Sequence, residues 1–387
     1  MPFSFLSGLA LFGACAWAQQ YAGDTISGSL PTEAGAEVAF FRISDPSGAN
    51  DRLTLVNYQS LGSDGQRLKP SNIQRAVIMM AGQRRDANTY IGYAINALAT
   101  ADPAYGPTKD NVAITAPLFA NEQDKGTAYP FDDASNSPGS NALAWYDTEW
   151  AYGRNNMYPY GSNNISTFHV LDEIVAYYKD QNQFPNMHEI VVAGHSMGSQ
   201  LIQRYAALTS VGSDDRVQVT FWPGDPNSLV WLSTDRPQGP YVDCDTYDNY
   251  PEGFSNYEAD NQQYGVSLVM RGRDAIRQNY ESKQISYLRS LQDTGDYTVT
   301  GCGAYSTGPN RDVRFLNFMN TFPPSCDNPS GGNCDTVDYV DESHDAAAAC
   351  KSSPGMSRLF YDNFDGKGGR AHDFGARRTQ GDSPYPA

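Results

Sequence analysis

The sequence predicts an α/β fold: a mostly parallel central sheet with helices on both faces and a lid-like insertion. Nearly continuous apolar runs recur along the chain, as strands buried on both faces require. Segments of helical period stand between them, and strands alternating with helices are the pattern of a parallel sheet covered on both sides. The 387 residues, 40% hydrophobic and 18% charged, supply one large core with room for insertions.

Residues 37–43 and 52–58 read as short strands around the turn cluster Asp45-Pro46-Ser47-Gly48, and so as an opening antiparallel pair. Residues 75–81 are a largely apolar run ending at Gly82, a strand buried on both faces. A helix is expected over 87–99 and an apolar strand over 111–119, followed by a long aromatic and polar stretch, 121–159. Ser166 stands as the cap of an amphipathic helix over 166–179, with Phe168, Leu171, Ile174, Val175 and Tyr178 on one face. A strand over 189–193, a helix over 200–208 and a strand over 217–222 come next. Residues 224–280, rich in Asp, Asn, Tyr and Pro, have little periodicity and read as an insertion or lid above the sheet. A strand over 285–291, a helix carrying Val313, Phe315, Leu316, Phe318, Met319 and Phe322, a short strand over 336–340 and a closing helix over 354–363 complete the pattern. A polar tail follows from about residue 364, and no internal repeat or second complete domain is visible.

Residues 3–18 form an apolar run ending in Ala16-Trp17-Ala18, a small-x-small pattern of the kind signal peptidase cuts, so residues 1–18 read as a signal peptide of a secreted, extracellular chain. No other stretch approaches the ~20 apolar residues that a membrane helix needs, which predicts no integral segment in the mature chain. A net charge of −17 repels phosphates and argues against nucleic-acid partners. Beyond the leader stand Cys244, Cys302, Cys326, Cys334 and Cys350, whose spacings fit no zinc pattern. In an exported chain they read as disulfides, Cys326 with Cys334 and Cys244 with Cys302, leaving Cys350 free. Asn164-Ile165-Ser166 is an N-glycosylation sequon.

The most informative motif is Gly194-His195-Ser196-Met197-Gly198, a G-x-S-x-G between the apolar run Val191-Val192-Ala193 and a helix. Small flanking residues let the serine occupy a strained turn, and the helix that follows aims its N-terminal N–H groups at the reaction centre. On this motif and its strand-turn-helix setting, residues 38–360 resemble the secreted esterase and lipase-like branch of the α/β-hydrolase superfamily.

That resemblance implies a chain order of Ser, then Asp or Glu, then His. With Ser196 as nucleophile, only His344 and His372 follow it. His344, in Ser343-His344-Asp345-Ala346-Ala347 after the last expected strand, is the predicted base, and His372 lies in the polar tail. The resemblance places the acid just past strand 285–291, where Asp293 is the first choice and Asp296 its rival; Asp225, after the preceding strand, is the third candidate. It also implies two oxyanion donors, the N–H of Met197 and one from Gln83 or Arg84 in the loop that opens at Gly82. This loop departs from the family's usual His-Gly pair, because Ala81 stands before Gly82. Arg84 and Arg85 read equally well as solvated loop charges.

Trp145 and Trp150, in the aromatic segment 145–152, are candidate walls of a substrate pocket, with packing beneath a long loop as the competing reading. The activity implied is hydrolysis of a small-molecule or lipid-like ester through an acyl-enzyme, with no metal or organic cofactor required. Acyl transfer by the same residues and a catalytically silent binding protein of the same fold are the alternatives.

Overall fold

The structure, a computed structural model, describes residues 30–124, 141–162, 164–237, 244–257, 263–293, 301–324 and 335–372. The expected leader, Asp296, the Cys326–Cys334 pair and the end of the polar tail lie outside the described residues.

The central sheet is built from β1 (Ala36–Arg42), β2 (Thr54–Ser60), β3 (Arg75–Met80), β4 (Val112–Pro117), β7 (Glu189–His195), β8 (Gln218–Gly224), β9 (Gln284–Ser290) and β10 (Thr336–Val340). A separate pair of short strands, β5 (Ala120–Asn121) and β6 (Ala144–Trp145), lies in the long connection after β4. The sheet order is β1-β2-β4-β3-β7-β8-β9-β10. Only the β1–β2 and β2–β4 pairings are antiparallel, and every pairing from β4 to β10 is parallel.

The helices are α1 (Ala87–Leu98), α2 (Thr167–Lys179), α3 (Met197–Leu208), α4 (Val266–Val269), α5 (Arg273–Glu281), α6 (Cys302–Tyr305), α7 (Arg311–Thr321), α8 (Ala346–Lys351) and α9 (Ser353–Met356). The closing helix expected over 354–363 is α9 continued by five π-helical residues, Ser357–Tyr361. Ser166 caps α2 as expected, its side chain accepting from the Phe168 N–H.

Strand alternation divides the core. Ala76, Ile78 and Met80 of β3, with Ile190 and Val192 of β7, meet α2, α3 and α7, while Val77, Met79, Val191 and Ala193 meet α1 and the 346–360 helices. This two-sided burial is why these strands read as unbroken apolar runs.

The insertion after β8 contributes Leu229, Val230, Trp231, Tyr250, Phe254 and Tyr257 to the larger core cluster. It is fastened to α3 by a two-way bond, Gln203 Nε2 to Val230 O at 3.2 Å and Val230 N to Gln203 Oε1 at 2.8 Å. A disulfide between Cys244 and Cys302 ties it to α6, and Cys350 is free and buried, as expected. The Asn164 amide of the sequon donates to Asp45 Oδ1 at 3.0 Å, a bond a glycan there would displace. No helix among the described residues is long and apolar enough to cross a membrane.

Glu189 opens β7 in a buried setting, accepting from Thr220 Oγ1 at 2.6 Å and Asn363 Nδ2 at 3.0 Å. Burial pushes its carboxyl from the ordinary 4.5 up to about 7, against the pull of Arg75. The folded chain therefore keeps a proton that the unfolded chain has released between these values. The resulting stability is complete below pH 4.5 and is lost as pH rises through 7. Glu189→Gln keeps both bonds with its amide turned so that nitrogen faces Thr220. Between pH 4.5 and 8 the native chain should lose about 3 kcal/mol more stability than this variant in urea unfolding. Equal losses would show that the carboxyl ionises alike in both states.

Candidate active site

The site lies where the parallel strands end, at the carboxyl edge of the sheet that open α/β folds use for ligands. Backbone bonds bind the strand-end loops together: Ser196 N to Gly224 O at 2.9 Å, Asp225 N to Leu288 O at 3.1 Å and Gln292 N to Glu342 O at 2.9 Å.

Ser196 stands between β7 and α3 with φ 59° and ψ −122°, a left-handed conformation that a non-glycine residue adopts only when its surroundings force it. The flanking glycines supply that force. A Cβ on Gly194 would come within 2.6 Å of Gly198 backbone, and one on Gly198 within 2.6 Å of Ala81 O. Helix α3 therefore begins at Met197, three residues before the expected start, with the elbow packed against β3.

His344 Nε2 is 2.8 Å from Ser196 Oγ, and His344 Nδ1 is 2.8 Å from Asp293 Oδ2. The imidazole is 29% exposed and the carboxylate 4% exposed, so solvent reaches His344 while Asp293 is shielded. Burial pushes the Asp293 carboxyl up, but the bond to His344 and the charges of Arg289 and Arg311 outweigh it and hold it below the usual carboxylate range. The group is thus an anion that fixes the ring with its proton on Nδ1, leaving Nε2 free to accept from the serine.

Asp225, the third candidate acid, is fully buried and meets a different imidazole, His195 Nε2 at 3.1 Å. It also accepts from Ser290 N and Ser290 Oγ, both at 2.6 Å. The His195 and His344 rings lie 4.6 Å apart. His195, Asp225 and His344 each bring a ligand atom within 4.8 Å of the others, a spacing that could hold a metal ion. The ring nitrogens of His344 and Nε2 of His195 are, however, already engaged in the bonds above. His372, the other histidine after the serine, is tied to the Tyr105 hydroxyl at 2.8 Å.

Met197 opens α3, where the first N–H groups of the helix have no carbonyl one turn back. Opposite it, a Cβ on Gly82 would lie 3.6 Å from Ser196 Cβ and 2.5 Å from the Tyr90 hydroxyl, so the loop after β3 passes close to Ser196. Gln83 and Arg84 follow with exposed side chains. Arg85 is not a solvated loop charge: its Nε and NH2 pair with Asp124 at 3.0 and 3.2 Å.

Trp145 and Trp150 require a correction. Both are core residues, 0% and 1% exposed, packed on Phe119 with ring centroids at 5.2 and 6.0 Å. They hold down the long connection after β4, and rings of this size gain more from burial there than they would lining an open pocket.

The arginines behind Asp293 were not foreseen from the sequence. Arg289 NH1 is 3.0 Å from Asp293 Oδ2 and 3.5 Å from Asp225 Oδ1, and Arg311 NH1 is 2.9 Å from Asp293 Oδ1. The available signal was an arginine inside a strand otherwise fit for burial on both faces, which calls for buried carboxylates at its end.

Compared by sequence, the chain matches no protein-family model and no curated protein. By structure it is similar to LpqC, a poly(3-hydroxybutyrate) depolymerase from Bordetella parapertussis, at 14% identity and a TM-score of 0.51 over 87% of this chain and 92% of that one. It also aligns with poly(aspartic acid) hydrolase-1 from Sphingomonas sp. KT-1, at 13% identity and 0.49 over 84% and 98% of the chains. A third match is the siderophore hydrolase EstB from Aspergillus nidulans, at 14% and 0.43 over 86% and 98%. With the sheet order above, a serine turn after the central strand and the similarity to the first of these structures, the chain has the α/β-hydrolase fold.

Proposed function

We propose that this chain is a serine hydrolase that cleaves carboxylic esters through an acyl-enzyme. The observation that carries the reading is the unbroken line Ser196–His344–Asp293, two contacts of 2.8 Å that start at a hydroxyl raised on a strained turn.

His344 takes the Ser196 proton as Oγ attacks the ester carbonyl, and Asp293 stabilises the imidazolium that forms. The Met197 N–H and an N–H of the Gly82–Arg84 loop receive the oxyanion. Collapse expels the alcohol, which takes the proton from His344. Water activated by the same imidazole then releases the acid and restores the serine. The similarity to a depolymerase of poly(3-hydroxybutyrate), a polyester, supports an ester as the bond cleaved, and the class we assign is a small-molecule or lipid-like ester. The same reading includes export, supported by the Cys244–Cys302 disulfide, since such bonds persist in oxidising compartments.

A fluorophosphonate probe tests this directly. One adduct per native chain, mapped to Ser196 and absent from Ser196→Ala, is the expected result. No Ser196-dependent adduct would leave the fold as a binding module. Product analysis with an added alcohol then separates hydrolysis from acyl transfer.

A further inference from the structure

The carboxylate behind His344 is shared with two cations. Asp293 Oδ1 accepts from Arg311 NH1 at 2.9 Å, and Oδ2 accepts from His344 Nδ1 at 2.8 Å and from Arg289 NH1 at 3.0 Å. Arg289 also donates through NH2 to the Asp293 carbonyl, so it fixes backbone and side chain together. Arg311 is anchored in turn: its Nε donates to Asn227 Oδ1 at 3.2 Å, and Arg314, one turn on along α7, donates to the same oxygen at 3.0 Å.

Charges of alternating sign thus run Arg311, Asp293, Arg289, Asp225, with an imidazole on each carboxylate. Among the described residues, the charged and titratable groups around the pair come from every element packed on it. They are Arg289 on β9, Arg311 and Asp312 on α7, Asp225 after β8, His195 at the end of β7, and Glu342 and Asp345 beside His344.

A carboxylate facing only an imidazole gives it all of its negative charge. Here two guanidinium groups take part of that charge and oppose a further positive charge on the pair.

Resting on the triad reading above, we propose that Arg311 is a positioning residue for the reaction. It holds Asp293 by the oxygen that Arg289 and His344 do not use, and keeps the Asp293–His344 pair able to accept the serine proton at lower pH than an unclamped pair could. Arg311 is 15% exposed and Arg289 is 0% exposed, so exchanging Arg311 disturbs the core less than exchanging Arg289.

The test is the pH dependence of fluorophosphonate inactivation and of kcat/KM for a soluble ester, in the full native chain, Arg311→Gln and Arg311→Lys. The acid limb of Arg311→Gln should move up by about one pH unit, about a fivefold loss at the native midpoint that approaches tenfold well below it, while Arg311→Lys should restore the native midpoint. NMR titration of the histidines in Ser196→Ala and Ser196→Ala/Arg311→Gln reads the same displacement without catalysis. A limb that stays in place while the plateau falls, or one that moves to lower pH, overturns the proposal. If the native chain gives no Ser196-dependent inactivation but the titration still moves, the triad reading fails and the clamp stands.

Discussion

Replacing His344 by alanine is expected to lower kcat by about 10⁶-fold, and Asp293→Asn by about 10⁴-fold, with KM nearly unchanged in both. The first change removes the imidazole that, among the described residues, stands within reach of Ser196 Oγ to take its proton, since His344 Nε2 sits 2.8 Å from that oxygen and His195 points its Nε2 at Asp225. The second leaves a base in place with the wrong proton. An asparagine at 293 that meets Arg311 with its carbonyl, in the place of Oδ1, turns its NH₂ toward His344 Nδ1 and Arg289 NH1 in the place of Oδ2, which moves the ring proton to Nε2, removes the acceptor that the serine needs and leaves the Arg289 bond unmade. Both losses are read in steady-state hydrolysis, with urea unfolding as the check on folding.

Asp225→Asn is the informative comparison. It breaks buried bonds to Ser290 and His195 and so costs stability, but kcat should stay within about tenfold of native. A 10⁴-fold loss there, with Asp293→Asn nearly silent, would move the acid to the end of β8.

This comparison also shows what could be read in the sequence. The G-x-S-x-G motif between a strand and a helix pointed to Ser196, and the chain order implied by the resemblance left His344 and His372, of which His344 stands directly after the last expected strand and His372 in the polar tail. The acid was not separable in that way. Asp225 and Asp293 both follow strands ending at the same sheet edge, and only the imidazole each one meets tells them apart. Strands β3, β4 and β7 were legible because a parallel strand covered on both faces has no polar alternation to confuse. Helix α5 was not, since its buried stripe is Ile276 and Tyr280 alone, too narrow for a helical period to stand out in Arg273–Glu281. Trp145 and Trp150 misled for a related reason: an aromatic cluster in a segment without periodicity has the same appearance whether it lines a cleft or pins a loop to the core.

Gly198→Ala should produce the largest effect of any change that removes no reacting group. Its Cβ would meet Ala81 O at 2.6 Å, Met80 O at 2.7 Å and Met80 Cβ at 3.0 Å. Two of these are main-chain atoms at the end of β3, a strand held by β4 on one side and β7 on the other, so they cannot retreat. The start of α3 must move instead, carrying the Met197 N–H and the Ser196 hydroxyl away from His344. Displacement of about 1 Å costs on the order of 10²-fold in rate, and a misdirected oxyanion donor raises the loss to about 10³-fold. Crowding the core at that point should cost a further 1–3 kcal/mol of stability, by the order of magnitude usual for overpacking. Gly212→Ala is the control, because a Cβ there meets only the Lys283 Nζ at 3.8 Å. If Gly198→Ala kept native kcat and native urea midpoint while folding to the same sheet, the close approach of α3 to β3 would not be what raises the serine, and the strain at Ser196 would need another source.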